Sequence, residues 1–406
     1  MNVAFVAPYL PPTTLRFVRA ALAGRGVRLG LVTHEPLERV PDDVRAALAG
    51  HWRIGNALDW RQLEAGARGL AEQMGGLDRL IGILEHLQVP LARVREALGI
   101  PGLGVEAALN FRDKARMKTL LREAGLPCAR HGLAADLAAG RAFAAATGFP
   151  LVVKPPAGAG AEATYRVDDE AALSEALGFL APSAERPVLL EEFIVGEEHS
   201  FDSVFVKGEP VWHSLTRYLP APLEVLRNSW IQWCVLLPRE VDGPEYDDIR
   251  KAAYRAVRLL GLETGLTHLE WFRRPDGSLA ISEVAARPPG AQITTLISAA
   301  HDIDFYATWT RLMIEEAFDP PYRRYAAGAA FLRGQGRGRV AAVRGLEEAQ
   351  RAAGELVVEV KLPQPGQPAA TGYEGEGYVI VRHPETGRVE EALRAIVAAV
   401  RVELAE

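Results

Sequence analysis

Cysteine is nearly absent: Cys128 and Cys234 are the only two in 406 residues, and they stand in no CxxC or metal-like spacing. That excludes a disulfide framework or a cysteine-built metal site, and makes a cytoplasmic chain with free thiols the expectation. No apolar run approaches the roughly 18 residues a membrane helix needs, so no membrane partner is expected. The start, Met1-Asn-Val-Ala-Phe-Val-Ala7, lacks a basic segment and meets Pro8 at once, so it reads as a first strand and not a signal peptide. A basic tail or face is missing too; the net charge of −6 sets aside a nucleic-acid partner. After the first strand stands Ala7-Pro-Tyr-Leu-Pro-Pro12 where a dinucleotide site would need GxGxxG. Low-complexity tracts are absent as well. What remains, 49% hydrophobic and 24% charged, is an ordinary globular composition long enough for two or three domains. Lysine is scarce beside arginine, limited to positions 114, 118, 154, 207, 251 and 361, so each one merits attention.

Residues 1 to about 105 alternate short apolar strands with helical stretches: strands at 2–7, 27–32 and 80–84, helices at 13–23, 60–74 and 89–98. This rhythm predicts a small parallel sheet covered on both faces. Glu85, at the carboxyl end of a strand, reads as a surface or capping residue, with a ligand crevice as the alternative. A helix follows, with Asn110 as N-cap and Gly125 as its stop. It carries Arg112, Lys114 and Arg116 in its first turns, where the helix dipole disfavours cations unless an anion docks there.

A second α/β unit begins at Leu126. Phe149-Pro-Leu-Val-Val-Lys-Pro-Pro156 is a buried strand with one lysine, and burying Lys154 without an acidic or anionic partner would be costly. The small-residue turn Ala157-Gly-Ala-Gly-Ala161 offers bare backbone N–H groups for phosphate. Val188–Glu198 then runs from a strand into acidic residues. The aromatic residues Trp212, Tyr218, Trp230 and Trp233 read as core. His213, Arg217, Tyr218 and Asn228 are candidates for substrate selection by location alone. Asp319-Pro-Pro-Tyr322 marks a boundary, beyond which a small α+β appendage without chemistry of its own is expected.

The segment 267–287 is the most informative. Two strands, Thr267–Arg274 and Leu279–Arg287, flank Pro275-Asp-Gly-Ser278, and Asp-Gly predicts a two-residue type I′ turn. Counting outward pairs Arg274 with Leu279, Phe272 with Ile281 and Glu270 with Glu283. Like charges opposed across a ladder destabilise it, so a cation is expected between the two carboxylates, whose hard oxygens suit Mg²⁺ or Mn²⁺. A solvated edge would also tolerate them, but Leu279, Ile281 and Phe272, counted on the same face, argue for burial.

This order of helix-start lysine, strand lysine, small-residue loop, acidic hinge and paired glutamates resembles the ATP-grasp superfamily over roughly residues 1–320. The resemblance implies mixed α/β and α+β architecture: a Rossmann-like pre-ATP-grasp domain (1–105), an ATP-grasp domain (106–325) with a lid at about 127–195, and a small C-terminal α+β domain (326–406). It implies an ADP-forming ligase that phosphorylates a small carboxylate and joins it to an amine or other nucleophile. A non-catalytic ATP-binding regulator and a bicarbonate-activating, biotin-carboxylase-like enzyme are the alternatives. The implied cofactors are ATP and Mg²⁺ or Mn²⁺; the partners are small molecules, with homodimer formation left open.

Carried over residue by residue, Lys114 and Lys154 would hold the α- and β-phosphates, and the loop with Gly158 and Gly160 would close over the γ-phosphate. Glu191, Glu192 and the backbone of Ile194 would meet adenine, and Glu198 the ribose. Glu270 and Glu283 would bind the metal, Arg287 would steady the acyl group, and backbone N–H groups near Gly290 would form an oxyanion site. The family's last motif is usually Glu-x-Asn-x-Arg. Here it is Glu283-Val-Ala-Ala-Arg287, and Ala285 cannot bind metal. His268, opposite Ala285 in the counted register, or an extra water, is the expected replacement.

Overall fold

The computed structural model describes residues 1–158, 163–227 and 231–406. Near the N-terminus, Gly50–Arg53, Arg28–Thr33, Asn2–Val6 and Arg79–Ile81 form a parallel sheet in that spatial order. Helices Pro12–Leu22, Trp60–Met74 and Gln88–Leu98 pack on its two faces. Near-continuous burial of Val3–Val6 and Leu29–Thr33 is what a sheet covered on both sides requires. Strand Gly50–Arg53 was not foreseen: Gly50-His-Trp-Arg53 has no apolar alternation and is only partly buried.

The main body is an antiparallel sheet, eight-stranded among the described residues. Its order is Leu279–Ala285, Gly265–Arg273, Glu197–Val206, Glu209–Leu219, Trp233–Leu237, Ala326–Leu332, Gly377–His383 and Val357–Lys361. On its reverse face the amphipathic helix Asp247–Leu260 buries Ile249, Ala253, Val257 and Leu260 against Phe201, Phe205, Leu269 and Trp271. From residue 326 onward, Ala326–Leu332, Gly377–His383 and Val357–Lys361 continue this sheet, while Gly334–Gln335, Arg401–Ala405 and Arg339–Arg344 form a three-stranded sheet of their own. Strand Ala326–Leu332 is buried throughout and built largely of alanine; at Gly328 a Cβ would come within 2.6 Å of Leu393 Cδ1 on helix Thr386–Ala399.

A smaller antiparallel sheet, in the order His131–Ala134, Val188–Glu192, Leu151–Lys154 and Tyr165–Val167, faces the main one. Helices Leu137–Thr147 and Glu170–Leu180 cover its outer side, each opened by an aspartate N-cap, Asp136 and Asp169. Its inner side presents Lys154 and Glu191 to the cleft between the two sheets. Among the described residues no helix is long and apolar enough to cross a membrane.

Candidate active site

The hairpin at the edge of the main sheet aligns Glu270 with Glu283 and His268 with Ala285, as counted from the sequence. Its tip departs from that count: Arg273 meets Leu279, Phe272 meets Ala280 and Trp271 meets Ile281. The connection is a longer loop in which only Gly277 takes positive φ (83°), with Gly277 N–H bonded to the Arg274 carbonyl at 2.9 Å. The resulting offset is absorbed by a bulge between Ile281 and Glu283, leaving Ser282 as the extra residue. Consequently Trp271, Leu279 and Ile281 turn to the reverse-face core, while Phe272, His268 and both glutamates line the cleft. The shared face expected of Leu279, Ile281 and Phe272 is therefore corrected.

Lys118 holds that bulge in place. Its side chain is wholly buried, and Nζ donates to the Ser282 carbonyl at 2.6 Å and lies 3.3 Å from Glu191 Oε1. Glu191 Oε2 in turn meets Lys154 Nζ at 3.0 Å. The expectation that Lys154 needs an acidic partner is thus met, by a carboxylate shared between two lysines. Lys118 was passed over in the sequence. Two signals were available: lysine is rare here, and Lys118 falls one helical turn beyond Lys114.

The helix bearing these lysines is Lys114–Glu123, capped by Asp113, whose Oδ1 accepts from the N–H groups of Ala115 and Arg116. Asn110 is not the cap; it sits in the preceding helix, Val105–Arg112, where its side chain donates to the Leu260 carbonyl. The misreading arose because Phe111-Arg112 continues the helical pattern, while Asp113 supplies a local acceptor that restarts it. Lys114, the first residue of the new helix, bonds the Gly158 carbonyl at 2.9 Å and Glu283 Oε1 at 2.8 Å.

Three carboxylates crowd this end of the cleft, and their neighbours decide their charge. Burial, then Glu270, pushes the Glu198 carboxyl up to about 8. Burial works most strongly against charge on Glu270, but His268, Arg287 and Lys154 together outweigh it and lower the Glu270 pKa. His268 resists burial in the same way: Asp202, at 2.6 Å from Nδ1, and Glu270, at 3.6 Å from Nε2, raise it to about 9. His268 is thus held between Asp202 and Glu270, on the cleft face opposite Ala285.

Arg287 follows the second hairpin strand and reaches into the N-terminal sheet, with Nε 2.6 Å from Glu85 Oε2. Glu85 is only 7% exposed and also faces Arg112 at 3.9 Å, so it is no surface residue. Strand-end placement had offered the crevice reading; charge alone had favoured the surface.

A single cavity gathers nearly all the residues singled out from the sequence. Lys114, Lys154 and Gly158 line one wall; Glu191, Glu192, Ile194 and Glu198 line another; His268, Glu270, Glu283, Arg287 and Gly290 form the floor and far rim. Gly160 lies outside the described residues. So do Trp230 and Asn228, expected as core and as a substrate-selecting residue. Tyr218 and Trp233 belong to the buried core as expected and also line the cavity, Tyr218 having been offered as a substrate-selecting residue too, whereas Trp212 packs against Phe305 and His301. His213 and Arg217 do not reach the cavity: His213 bonds Tyr254, and Arg217 bonds Tyr246. Tyr373 does line it, coming from the segment expected to carry no chemistry.

Residues 119–302 match the family model described as the ATP-grasp domain. Among curated proteins, the chain is similar to the L-arginine-specific L-amino acid ligase of Bacillus subtilis, 27% identical over 240 residues, covering 58% of this chain and 57% of that one. It is likewise similar to an alanine–anticapsin ligase of Bacillus subtilis, 27% identical over 249 residues, covering 57% and 52%. The match spans little more than half the length of these curated relatives. Among solved structures, an L-amino acid ligase from Bacillus licheniformis superposes with a TM-score of 0.78 at 20% identity, covering 100% of this chain and 99% of that one.

Proposed function

Taking as premise that the chain is built around an ATP-grasp domain, we propose that it is an ADP-forming ligase that phosphorylates a small carboxylic acid and joins the acyl group to an amine. The observation that carries this reading is the convergence of Glu198, Glu270 and Glu283 with Lys114, Lys154 and Arg287 on one cavity between two sheets. Such a site suits the transfer of a phosphoryl group between anions, where positioning and charge neutralisation are the main catalytic terms.

The donor set fits a hard cation. Glu270 and Glu283 oppose each other across the ladder, and Glu198, its pKa raised by burial and then by Glu270, stands beside them. Among the described residues no three His, Cys, Asp or Glu side chains form a metal cage by themselves. Phosphate oxygens and water would therefore complete the shell, as Mg²⁺ and Mn²⁺ tolerate. Bound there, the ion would neutralise charge on the phosphates.

Lys114 and Lys154 would hold the α- and β-phosphates, and the turn that includes Gly158 the γ-phosphate. Adenine would lie against Glu192 and the backbone of Ile194; Glu191 Oε1, which among the described residues has the Lys118 ion pair but no hydrogen bond of good geometry, would accept from its amine. Glu198 would face the ribose. A carboxylate oxygen of the acid attacks the γ-phosphorus and ADP departs with the bridging oxygen. The amine nitrogen then attacks the acyl carbon, and phosphate leaves. Arg287, held by Glu85, would steady the acyl group, and the backbone near Gly290 would receive the oxyanion. The segment 127–195 would act as a lid that excludes water, over a body of 106–325 flanked by units 1–105 and 326–406. The relatives named as amino acid ligases favour amino acids as acid and amine, and the free thiols suit the cytoplasm.

The test is ADP release against a panel of amino acid pairs. Amine-dependent release of ADP and phosphate supports a ligase. Dependence on bicarbonate alone would move the reading to a carboxylase, and tight ATP binding without turnover to a regulator.

A further inference from the structure

The cavity floor changes character along its length. Glu283, Glu270 and Glu198 stand on the first three strands of the main sheet, while Tyr218 and Trp233 stand on the fourth and fifth. With strands about 4.8 Å apart, Trp233 lies three strands, roughly 14 Å, across the sheet from Glu270, and by register four residues further along it. The Trp233 ring is stacked on Tyr218 at 6.0 Å and meets the Tyr373 edge at 4.9 Å. Its one polar atom, Nε1, already donates to the Pro220 carbonyl at 3.0 Å. Leu223 and Ile293 line the same end. The ordering is deliberate at the backbone level too: Glu374 accepts from the Ala291 N–H at 3.0 Å and the Gln292 amide at 3.1 Å, fixing the loop that follows Gly290 next to Tyr373.

Arg287 follows the strand that carries Glu283 and lines the same cavity as Trp233 and Tyr373. Its Nε is taken by Glu85 and its Nη1 by the Pro288 carbonyl, and among the described residues Nη2 has no hydrogen-bond partner. A substrate carboxylate bound by Nη2 would leave its side chain to the rest of that lining, the aromatic end included. A charged side chain in that aromatic compartment would lose water and find among its walls only the neutral Tyr218 and Tyr373 hydroxyls, which do not offset the loss of hydration of a full charge. An apolar one would fill it, and a single well-buried methylene is worth about 10- to 200-fold in selectivity.

We propose that the acid this enzyme activates carries a bulky apolar side chain, aliphatic or aromatic, seated between Tyr218, Leu223, Trp233, Ile293 and Tyr373. This rests on the ligase reading for the direction of the carboxylate, but the preference itself is a property of binding. Two measurements separate the two claims. In the first, hydroxylamine is the amine, and hydroxamate formation from L-phenylalanine, L-leucine, L-aspartate or L-lysine is followed with ATP and Mg²⁺. The expected kcat/KM for L-phenylalanine or L-leucine exceeds that for L-aspartate or L-lysine by at least about 100-fold, of the order that burying one or two methylenes supplies. In the second, each acid is titrated calorimetrically into the enzyme saturated with ADP and Mg²⁺. Apolar acids that bind without any hydroxamate would defeat the ligase reading and leave the inference standing. Equal or tighter binding of L-aspartate or L-lysine, or no binding by any of the four, would overturn the inference. The Leu223→Lys variant places an ammonium in the compartment, and should shift the ratio of L-glutamate to L-leucine binding by at least about tenfold toward glutamate. An unchanged ratio would overturn the assigned location.

Discussion

Glu191 and Glu198 line the same cavity from either end of one short turn, yet their carboxyl groups are pushed in opposite directions. Burial disfavours charge on both. For Glu191 it is outweighed by Lys118 and Lys154, which lower its pKa. For Glu198 it is reinforced by Glu270, and the pKa rises to about 8. Burial alone, then, does not assign a role; the count of neighbouring cations does. On the Glu191 side one carboxylate is shared by two lysines. On the other side Glu270 and Glu283 oppose each other across the ladder with Glu198 beside them, a repulsion that a divalent cation would relieve.

The sharpest break in this comparison is to remove the acidic pair. Glu270→Gln together with Glu283→Gln should lower ADP formation by at least about 1000-fold, near 4 kcal/mol of barrier. A steady-state assay retaining a tenth of the activity would mean that the metal sits elsewhere. On the other side, Glu191→Leu leaves Lys118 and Lys154 buried and unpaired, and should cost about 3–5 kcal/mol in urea unfolding. A variant as stable as the parent would show that water already serves those lysines.

Two further outcomes depend on pH. Because the folded Glu198 carboxyl titrates above its ordinary value, its contribution to stability is present below about 4.5 and lost as pH rises through about 8. Without nucleotide, the parent should therefore lose stability between pH 5.5 and 8.5 relative to Glu198→Gln, as read by unfolding at the two pH values. His301 shows burial acting first: it is 3% exposed, among the described residues neither ring nitrogen has a hydrogen bond of good geometry, and burial followed by Arg323 lowers it to about 4. Its contribution is full above pH 6.5 and lost as pH falls toward 4, amounting to at most roughly 3 kcal/mol. His301→Phe should flatten that stretch of the stability profile. The smallest expected effect is at Glu85. Glu85→Gln loosens Arg287, and should raise KM for the acid about tenfold, about 1.4 kcal/mol, with nucleotide affinity unchanged; a matching loss of nucleotide affinity would make Glu85 part of general packing.

The sequence was most legible where chemistry and spacing reinforce each other. Opposed glutamates on a hairpin are an energetic anomaly, and that anomaly located the site despite a misjudged turn, since the Ser282 bulge cancelled the one-residue error before it reached Glu270. Lys154 announced a partner because an apolar strand cannot carry an ammonium for nothing. What escaped were contacts set by tertiary geometry. Glu85 meets Arg287 across 202 positions of sequence, and no local pattern encodes such a pair. Tyr373 reaches the cavity only because the C-terminal strands extend the main sheet. Lys118 lay on a helix whose start was misplaced, so its direction could not be read.

Binding of ADP, followed calorimetrically with and without Mn²⁺ in the parent and in the Glu270→Gln, Glu283→Gln double variant, tests the metal-binding role of the acidic pair most directly. Mn²⁺ should tighten ADP binding in the parent and have no effect in the double variant, which still binds ADP alone. An equal Mn²⁺ enhancement in both proteins would contradict it.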